Sequence, residues 1–308
     1  MARLTMSRST GDLIADRRYG YARSCFDADD HAGTADVARA VLELAPGFAP
    51  AWSLLGEAEA ALGNREAAVG ALLKALEIEP EDVLGASITL ARLGALPQAA
   101  ALTNGYVRTL FDRYAGAFDA HLTGQLEYRA PAQIIDALDR LAPGRRFASC
   151  LDLGCGTGLM GAAIRERAAH LTGLDIAPAM IAKATEKGTY DALVVAELTE
   201  YLAGRPEDTH DLILAADVMV YIGDPAQVLA GAARALWPGG LFAFSVQAGD
   251  AVMPEGFRIG ADSRFAHDAA FLRRRATDAG FTITLFEPAT TRRDAGAPVP
   301  GYLVALKV

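Results

Sequence analysis

The sequence predicts an α/β domain with a mainly parallel sheet in its last two thirds, preceded by a smaller domain that is entirely helical. Two observations carry this prediction. Residues 1–104 show only the period of apolar residues that is typical of amphipathic helices. After about residue 145, short apolar runs alternate with amphipathic stretches, which is the pattern of βαβ units. We therefore expect two domains, at residues 1–104 and 105–308.

Seven apolar runs in the second domain are predicted to be strands. They lie at 147–153, 171–176, 192–196, 211–218, 241–247, 281–289 and 302–308. Helices are predicted between them, near residues 158–168, 178–187, 225–236 and 267–279. The last two strands are joined by a polar loop without a helix, so we expect them to pair antiparallel. Residues 105–145 are predicted to form linking or lid helices ahead of the sheet.

The helical domain carries a spacing that resembles a tetratricopeptide repeat. Within residues 49–82 the matching positions are Trp52, Leu55, Gly56, Gly63, Ala68, Leu72, Ala75 and Pro80. Small residues at positions 56 and 68 are expected where two antiparallel helices cross closely. Residues 15–48 look like an earlier, more divergent repeat. The repeat is imperfect, because Glu59 stands where an aromatic residue is usual, and an ordinary pair of helical hairpins is the alternative.

Composition excludes several classes of protein. The chain has 308 residues, a formal net charge of −9 and a pI near 5.1. An acidic chain is unsuited to broad binding of a phosphate backbone, so we expect no nucleic-acid partner. Three cysteines without a CxxC pair argue against a disulfide framework. No His/Asp cluster has the spacing of metal ligands, so we expect no metal.

The same survey predicts a cytoplasmic protein without a membrane partner. No apolar run reaches the roughly 18 residues that a membrane-spanning helix needs. The first residues also lack the apolar stretch of a signal peptide.

The first predicted strand runs directly into a glycine-rich turn, LDLGCGTG at residues 151–158. Glycine at a strand-to-helix turn lets a ligand lie against the backbone without interference from a Cβ atom. Gly156, Gly158 and Gly161 also match the dinucleotide fingerprint G-x-G-x-x-G, so the glycines alone leave a dinucleotide enzyme open. Asp175 ends the second predicted strand, where a carboxylate can accept hydrogen bonds from both hydroxyls of a ribose.

These motifs together resemble class I S-adenosylmethionine-dependent methyltransferases. The resemblance rests on the segments LDLGCGTG, LTGLDIAPAMI, DLILAADVMVYIGD and LWPGGLFAFSVQ, in the order and spacing of that family. It covers about residues 105–308. It implies a doubly wound, Rossmann-like methyltransferase sheet with strand order 3-2-1-4-5-7-6, in which the last strand is antiparallel. The whole arrangement is similar to bacterial predicted methyltransferases that carry N-terminal tetratricopeptide repeats.

The resemblance implies methyl transfer from S-adenosyl-L-methionine as the cofactor. The cofactor-binding residues that it implies are Tyr114, Asp152, Gly154, Gly156, Gly158, Asp175, Ile176, Met180, Glu197 and Asp217. The three glycines would lie under the methionine part, while Asp152 faces its amino group and Asp175 holds the ribose. A cofactor with a sulfonium and an ammonium also suits an edge of the sheet that is rich in carboxylates. The alternatives are that Asp152 and Asp217 only cap helices, and that Met180 belongs to the core.

The remaining implied positions surround these. Ile176 and Met180 would flank the adenine, with Glu197 near its amino group. Asp217 would open the floor of the methyl-transfer site, and Tyr114 would lie in a lid over the cofactor.

The residues after the fourth strand indicate the acceptor only by exclusion. Residues 216–219, ADVM, replace the [DN]PP[YF] stretch of adenine and glutamine N-methyltransferases, and the Pro-Cys of cytosine C5 enzymes is missing. Small molecules with oxygen, carboxylate or carbon nucleophiles remain. We predict that Arg129, Tyr221, Arg264 and His267 bind the acceptor, with His267 and Tyr221 as candidate catalytic groups. The arginines and His267 would suit an anionic acceptor.

The sequence is also compatible with two other functions. The repeats would suit the docking of a protein or peptide substrate, because stacked repeats form a concave surface for extended peptides. A non-catalytic repeat scaffold with a degenerate cofactor domain is the other alternative. The intact glycine loop and Asp175 speak against that scaffold.

Overall fold

The computed structural model describes residues 8–120, 128–249, 253–294 and 296–308. The chain divides into two compact units, Met1–Thr109 and Leu110–Val308. In the described residues, no helix is both long enough and apolar enough to span a bilayer.

The first unit is built from helices, as the sequence predicts. Its helices are α1 (Leu13–Asp27), α2 (His31–Leu44), α3 (Ala49–Ala61), α4 (Arg65–Ile78), α5 (Ala86–Arg92) and α6 (Asn104–Tyr114), the last of which continues into the second unit. Neighbouring helices along the chain pack on one another through small buried side chains, among them Ala38, Ala51, Ala58 and Ala71. The α1–α2 hairpin is entered through Asp12, whose side chain caps the first turn of α1.

Close contact between α3 and α4 depends on a glycine. A Cβ atom on Gly56 would lie 2.5 Å from Cγ of Leu72 and 3.1 Å from the carbonyl oxygen of Ala68. Glu59, on the same helix, is only 2% exposed. Its carboxylate forms an ion pair with Arg39 and accepts a 2.7 Å hydrogen bond from Asn64 Nδ2. These partners satisfy a charged side chain at a position where the repeat pattern favours an aromatic ring.

In its described residues, the second unit contains a nine-stranded sheet with helices on both faces. Its strands are β1 (Phe147–Leu153), β2 (Ala168–Asp175), β3 (Ala192–Val195), β4 (His210–Ala215), β5 (Leu236–Ala248), β6 (Phe257–Ile259), β7 (Phe265–His267), β8 (Thr282–Asp294) and β9 (Ala297–Lys307). The main path runs β3-β2-β1-β4-β5-β9-β8, and β9 is antiparallel to both of its neighbours. This confirms the predicted Rossmann-like sheet and its mixed strand order.

The sheet is covered on both faces, as in doubly wound folds. Its helices are α7 (Ala130–Leu141), α8 (Leu159–Ile164), α9 (Pro178–Lys187), α10 (Leu198–Ala203), α11 (Ala226–Ala235) and α12 (Ala269–Asp278). Helices α10, α11 and α12 bury apolar side chains such as Leu202 and Leu229 in one cluster. Helices α7 and α8 contribute side chains such as Ile134 and Ile164 to a second cluster.

A short hairpin that the sequence did not predict extends this sheet. Strand β7 pairs parallel with β5 at Gln247 and Ala248, and β6 pairs antiparallel with β7. Strand β9 pairs with one edge of β5 as far as Gln247, so the hairpin must lie on the other edge. Strand β4 occupies that other edge at the earlier residues of β5. The hairpin therefore stands beyond the carboxyl end of β4, which is the edge where α/β sheets bind ligands.

The last predicted helix, near residues 267–279, is confirmed at Ala269–Asp278. It begins at Ala269 because the Asp268 carboxylate accepts a 2.8 Å hydrogen bond from Phe271 N and caps the first turn. His210 is buried at the start of β4. Its Nδ1 lies 2.9 Å from Ser149 Oγ on β1.

We predict that Gly56→Ala lowers the free energy of unfolding by about 1–3 kcal/mol, because the new methyl group overlaps Leu72. Gly70→Ala is the matched control, since Gly70 lies on the exposed face of α4 with no atom within 4 Å of its Cβ position. That substitution should raise stability by about 0.5–1 kcal/mol through helix propensity. Urea unfolding followed by circular dichroism measures both, and equal effects of the two substitutions would contradict the close helix contact.

Candidate functional site

The glycine loop connects β1 to α8 at the carboxyl end of the sheet. Gly154, Gly156 and Gly158 have φ angles of 61°, 53° and 95°, in the left-handed region that favours glycine. A Cβ atom on Gly154 would lie 2.5 Å from Cγ2 of Val218, the residue that follows Asp217. The loop is therefore shaped by backbone conformation at all three positions, and it packs directly on the segment after β4.

Asp175, at the end of β2, fixes the conformation of this loop. Its Oδ2 accepts a 2.9 Å hydrogen bond from Gly156 N, and its Oδ1 accepts a 2.8 Å bond from Ala177 N. The side chain is 7% exposed. Burial raises its pKa to about 6, although these backbone hydrogen bonds act in the opposite direction. Each carboxylate oxygen keeps a second lone pair for a ligand hydroxyl.

Asp152, on β1, is the most deeply buried carboxylate of the site at 1% exposure. Its Oδ2 accepts a 2.6 Å hydrogen bond from the Tyr190 hydroxyl, whereas its Oδ1 is buried without a partner. Burial raises the pKa of Asp152 to about 7, with a further contribution from the charge of Asp175. A buried acceptor atom that the chain leaves unsatisfied calls for a donor from outside it.

Tyr190, in the turn before β3, was not singled out by the sequence. A Cβ atom on Gly161 would lie 2.3 Å from Tyr190 Cζ, and one on Gly173 would lie 2.8 Å from Tyr190 Cε1. These two glycines therefore make room for the tyrosine ring. Gly161, which completes the dinucleotide-like frame, has this packing role, and nothing in the local sequence pattern around Tyr190 indicates the contact.

Aromatic side chains at the end of α6 and just after it lie next to the glycine loop. A Cβ atom on Gly156 would lie 3.6 Å from Phe118 Cε1, and the rings of Tyr114 and Phe118 meet edge to face at 5.3 Å. Asp119 bonds to the Thr157 hydroxyl and forms a 2.6 Å ion pair with Lys187 Nζ. The predicted lid residue Tyr114 thus belongs to an aromatic group next to the loop.

Three other predicted cofactor residues lie around the start of α9 and α10. Met180 is fully buried and packs with Ala115 and Ala177. Ile176 follows Asp175 and is half-buried. Glu197 caps α10, where its side chain accepts a 2.8 Å hydrogen bond from Glu200 N.

Asp217, beyond the end of β4, lies in a network that the sequence did not reveal. Arg292 Nη1 donates to both of its carboxylate oxygens, at 3.0 and 2.8 Å, and the Thr291 hydroxyl lies 3.3 Å from Oδ1. Consecutive residues of a regular strand point to opposite faces, but β8 has an irregular register between Thr290 and Arg293. This bulge directs both side chains to one carboxylate.

Arg292 is the largest fully buried side chain of the described chain, at 1% exposure. Its Nη2 donates a 2.7 Å hydrogen bond to Gln247 Oε1, and its Nε is buried without a partner. The register of β8 shifts at this bulge, so strand alternation in the sequence does not indicate that the arginine points to the site.

The predicted acceptor residues Tyr221 and Arg264 are brought together. Arg264 Nε donates a 3.2 Å hydrogen bond to the Tyr221 hydroxyl, and the Phe111 ring meets the Tyr221 ring edge to face at 5.2 Å. Burial opposes the charge of Arg264, but Tyr221 and Asp217 outweigh it and raise the pKa of the guanidinium. Arg264 is therefore a permanent cation at this edge of the sheet.

Tyr128, just before α7, lies close enough to Asp217 and Asp152 to feel both charges. Burial raises the pKa of its phenol well above the ordinary value, and these two negative charges add to the effect. Its phenol therefore stays protonated and can donate a hydrogen bond.

The two other predicted acceptor residues lie differently. Arg129 is exposed at the start of α7, and its backbone N–H donates a 2.8 Å bond to Thr291 O. His267 is 1% exposed at the end of β7, with Nε2 at 2.9 Å from Ile222 O and 3.0 Å from Gly223 O. Burial lowers its pKa, so the ring is neutral with its proton on Nε2 and with Nδ1 buried.

In the described parts of the chain, no group of three or more His, Cys, Asp or Glu side chains has a geometry that holds a metal ion.

Comparison with known families identifies the domain that contains this site. A family model described as a methyltransferase domain matches residues 126–285, just over half of the chain. The match includes the glycine loop, Asp175, Asp217 and the β6–β7 hairpin.

Individual relatives agree with this match. Methyltransferase-like protein 27 of Homo sapiens is 36% identical over 106 residues, which cover 34% of this chain and 43% of the relative. Malonyl-[acyl-carrier protein] O-methyltransferase of Salmonella typhimurium is 31% identical over 141 residues, covering 45% of this chain and 52% of the relative. The chain spans about half the length of the curated relatives it matches.

A solved structure shows the same fold. The 1,6-didemethyltoxoflavin-N1-methyltransferase of Burkholderia thailandensis superposes with a TM-score of 0.51 at 20% identity. The alignment covers 65% of this chain and 86% of that one.

We predict that Asp152→Asn stabilises the protein at alkaline pH. Because folding raises the Asp152 pKa from 3.8 to about 7, the folded state binds more protons than the unfolded chain between these values. The free energy of unfolding of the wild type therefore falls as pH rises through this window, and asparagine removes that loss while still accepting the Tyr190 bond. Urea unfolding at about pH 5 and about pH 8 measures the difference, which should favour the variant more at the higher pH.

Asp136→Asn, on the exposed face of α7, is the control for this experiment and should show no such pH-dependent gain. An Asp152→Asn variant that is less stable than the wild type at both pH values would contradict the unsatisfied burial of this carboxylate.

Proposed function

We propose that this chain, which belongs to the methyltransferase domain family, transfers a methyl group from S-adenosylmethionine to a small-molecule acceptor. The observation that carries the proposal is the pair of carboxylates beside the glycine loop. Each carboxylate oxygen of Asp175 accepts one backbone hydrogen bond and has a second lone pair for a hydroxyl group. Asp152 has one buried oxygen that no donor reaches.

The residues present fit S-adenosylmethionine. An ammonium group is the donor that Asp152 Oδ1 lacks, and left-handed glycines let a ligand approach the backbone of residues 154–158. No Lys or Arg stands in the loop to add positive charge for a pyrophosphate. When bound, this cofactor supplies an electrophilic methyl group on a sulfonium.

The chain's own residues then bind, orient and exclude water. We assign Asp175 and Ile176 to the ribose and adenine side, together with Met180 and Glu197. Phe118 and Tyr114 close the loop from above, where their rings exclude water. Asp217, held by Arg292, forms the floor on the acceptor side.

The acceptor side supports a small molecule. Tyr221, Phe111 and Arg264 combine aromatic surface with one charged group, which is the usual lining of a small-ligand site. Relatives named as O-methyltransferases are compatible with an oxygen nucleophile in this chain. The burial of His267 argues against the predicted role of this residue as a base.

For the helical unit, we propose an array of imperfect tetratricopeptide repeats. The close approach of α3 and α4 at Gly56 supports it, as does the pairing of Glu59 with Arg39 at the atypical position. A cytoplasmic location remains a prediction.

Docking of a peptide substrate on these repeats is the alternative function. Deleting residues 1–104 would abolish activity in that alternative, whereas a small-molecule enzyme keeps its turnover wherever the truncated chain folds.

We predict that S-adenosylhomocysteine binds the full chain and that Asp175→Ala weakens it at least about 30-fold, or about 2 kcal/mol, because ribose contacts and the anchor of Gly156 are lost together. Isothermal titration calorimetry measures this. Glu166→Ala, an exposed charge on the segment after α8, should bind like the wild type. Tighter binding of NAD than of S-adenosylhomocysteine, or binding of neither, would sink the proposal.

A further inference from the structure

The acceptor side of the site holds more hydrogen-bond donors than the chain satisfies. Arg292 uses Nη1 on Asp217 and Nη2 on Gln247, and its buried Nε has no partner. Asp262 Oδ2 lies 3.7 Å from Arg292 Nη2, and Asp262 Oδ1 accepts the backbone N–H of Arg264 at 3.2 Å. The charges of the two arginines, Arg292 and Arg264, are balanced by Asp217 and Asp262. This side of the site therefore has no excess charge among its described residues, but it has N–H donors that lack an acceptor.

Of the two arginines, Arg264 is the less engaged in the part of the chain that the structure describes. Among the described residues, its side-chain hydrogen bonding consists of the 3.2 Å bond from Nε to the Tyr221 hydroxyl. The planar fork of its two Nη groups remains for a ligand, and this fork matches the two oxygens of a carboxylate. The Tyr221 hydroxyl oxygen accepts from Arg264, so its O–H remains available to donate a second hydrogen bond to an anionic ligand. The half-buried position strengthens both interactions relative to water.

The titratable groups described on the acceptor side of the site are engaged with other groups of the chain, which leaves them poorly placed to take a proton from the acceptor. Asp262 accepts from the backbone of Arg264 and lies close to Arg292. The Asp217 carboxylate is held by both Arg292 and Thr291. Both nitrogens of His267 are engaged or buried, and the Tyr128 phenol is protonated already. An acceptor whose nucleophilic oxygen already carries the negative charge needs no base.

We propose that the acceptor is a small carboxylic acid bound as its anion, with Arg264 and Tyr221 as the carboxylate-binding subsite. This inference rests on the proposed methyl transfer. The carboxylate oxygen forms the new C–O bond as the C–S bond of the donor breaks, giving a methyl ester and a neutral thioether. The negative charge of the acceptor and the positive charge of the sulfonium cancel, so no proton moves and no further reactant is required.

The test uses the full chain saturated with S-adenosylhomocysteine. Acetate, benzoate and octanoate are titrated by calorimetry, each beside its own uncharged amide, so that size and apolar surface are matched within a pair. The wild type should bind at least one acid at least tenfold more tightly than the corresponding amide. Arg264→Gln should abolish this preference, and Tyr221→Phe should reduce it.

Arg258→Gln is the matched control, because Arg258 stands exposed on β6 of the same hairpin and its loss changes the net charge equally. It should retain the preference. Unchanged affinity of Arg264→Gln for S-adenosylhomocysteine shows that the variant is folded with its cofactor side intact.

Two outcomes overturn the inference while leaving the proposed function in place. One is a wild type that binds S-adenosylhomocysteine but prefers none of the acids to its amide. The other is an Arg264→Gln variant that keeps the acid preference of the wild type. Failure of the wild type to bind S-adenosylhomocysteine instead removes the proposed function itself.

Discussion

The burial of two carboxylates at the ends of adjacent parallel strands is the constraint on which the rest of the site depends. The register of β1 and β2 pairs Asp152 with Gly173, and Asp175 lies two residues further along β2. Removing a charged carboxylate from water costs several kcal/mol unless hydrogen bonds replace the water. Asp175 recovers two such bonds from the backbone at Gly156 and Ala177, and one of these bonds holds the glycine loop. The loop conformation and the ionisation of Asp175 are therefore coupled.

The cost of burying Asp152 is only partly offset by hydrogen bonds within the chain. One oxygen of this carboxylate has a structural role, and the other is available to a ligand. A single tyrosine hydroxyl satisfies one of its oxygens, and the Tyr190 ring occupies the space left open by Gly161 and Gly173. The other oxygen has no donor. A ligand with an ammonium group would donate a hydrogen bond to this oxygen. Binding would then recover the desolvation penalty of the unpaired oxygen, and this would add to the affinity. The lid contact from Asp119 to Lys187 is partly exposed, and such an ion pair contributes only about 0–1 kcal/mol.

Sequence reasoning predicted the parts of the fold that repeat along the chain. The seven main strands and the glycine loop follow from periodicity and motif spacing, whereas the strand order was implied by the family resemblance. Asp175 ends β2 as expected, and Asp217 follows shortly after the end of β4. The hairpin β6–β7 was missed because three-residue strands are too short to show a period. Tyr190 and Arg292 were missed for another reason. Each reaches the site from a distant part of the chain, one through space made by glycines and the other through a bulge in β8.

The bulge at Arg292 also decides what kind of charge the acceptor side can offer. A regular β8 would send Thr291 and Arg292 to opposite faces of the sheet, and Asp217 would then remain an unpaired anion beside the glycine loop. That anion would attract the sulfonium of a donor and repel a negatively charged acceptor. With both side chains directed to Asp217, its charge is met inside the protein. Asp262 balances the charge of Arg264, but its Oδ1 accepts the backbone N–H of that residue, so the proposed carboxylate acceptor supplies directed acceptors for the Nη groups and not a missing charge.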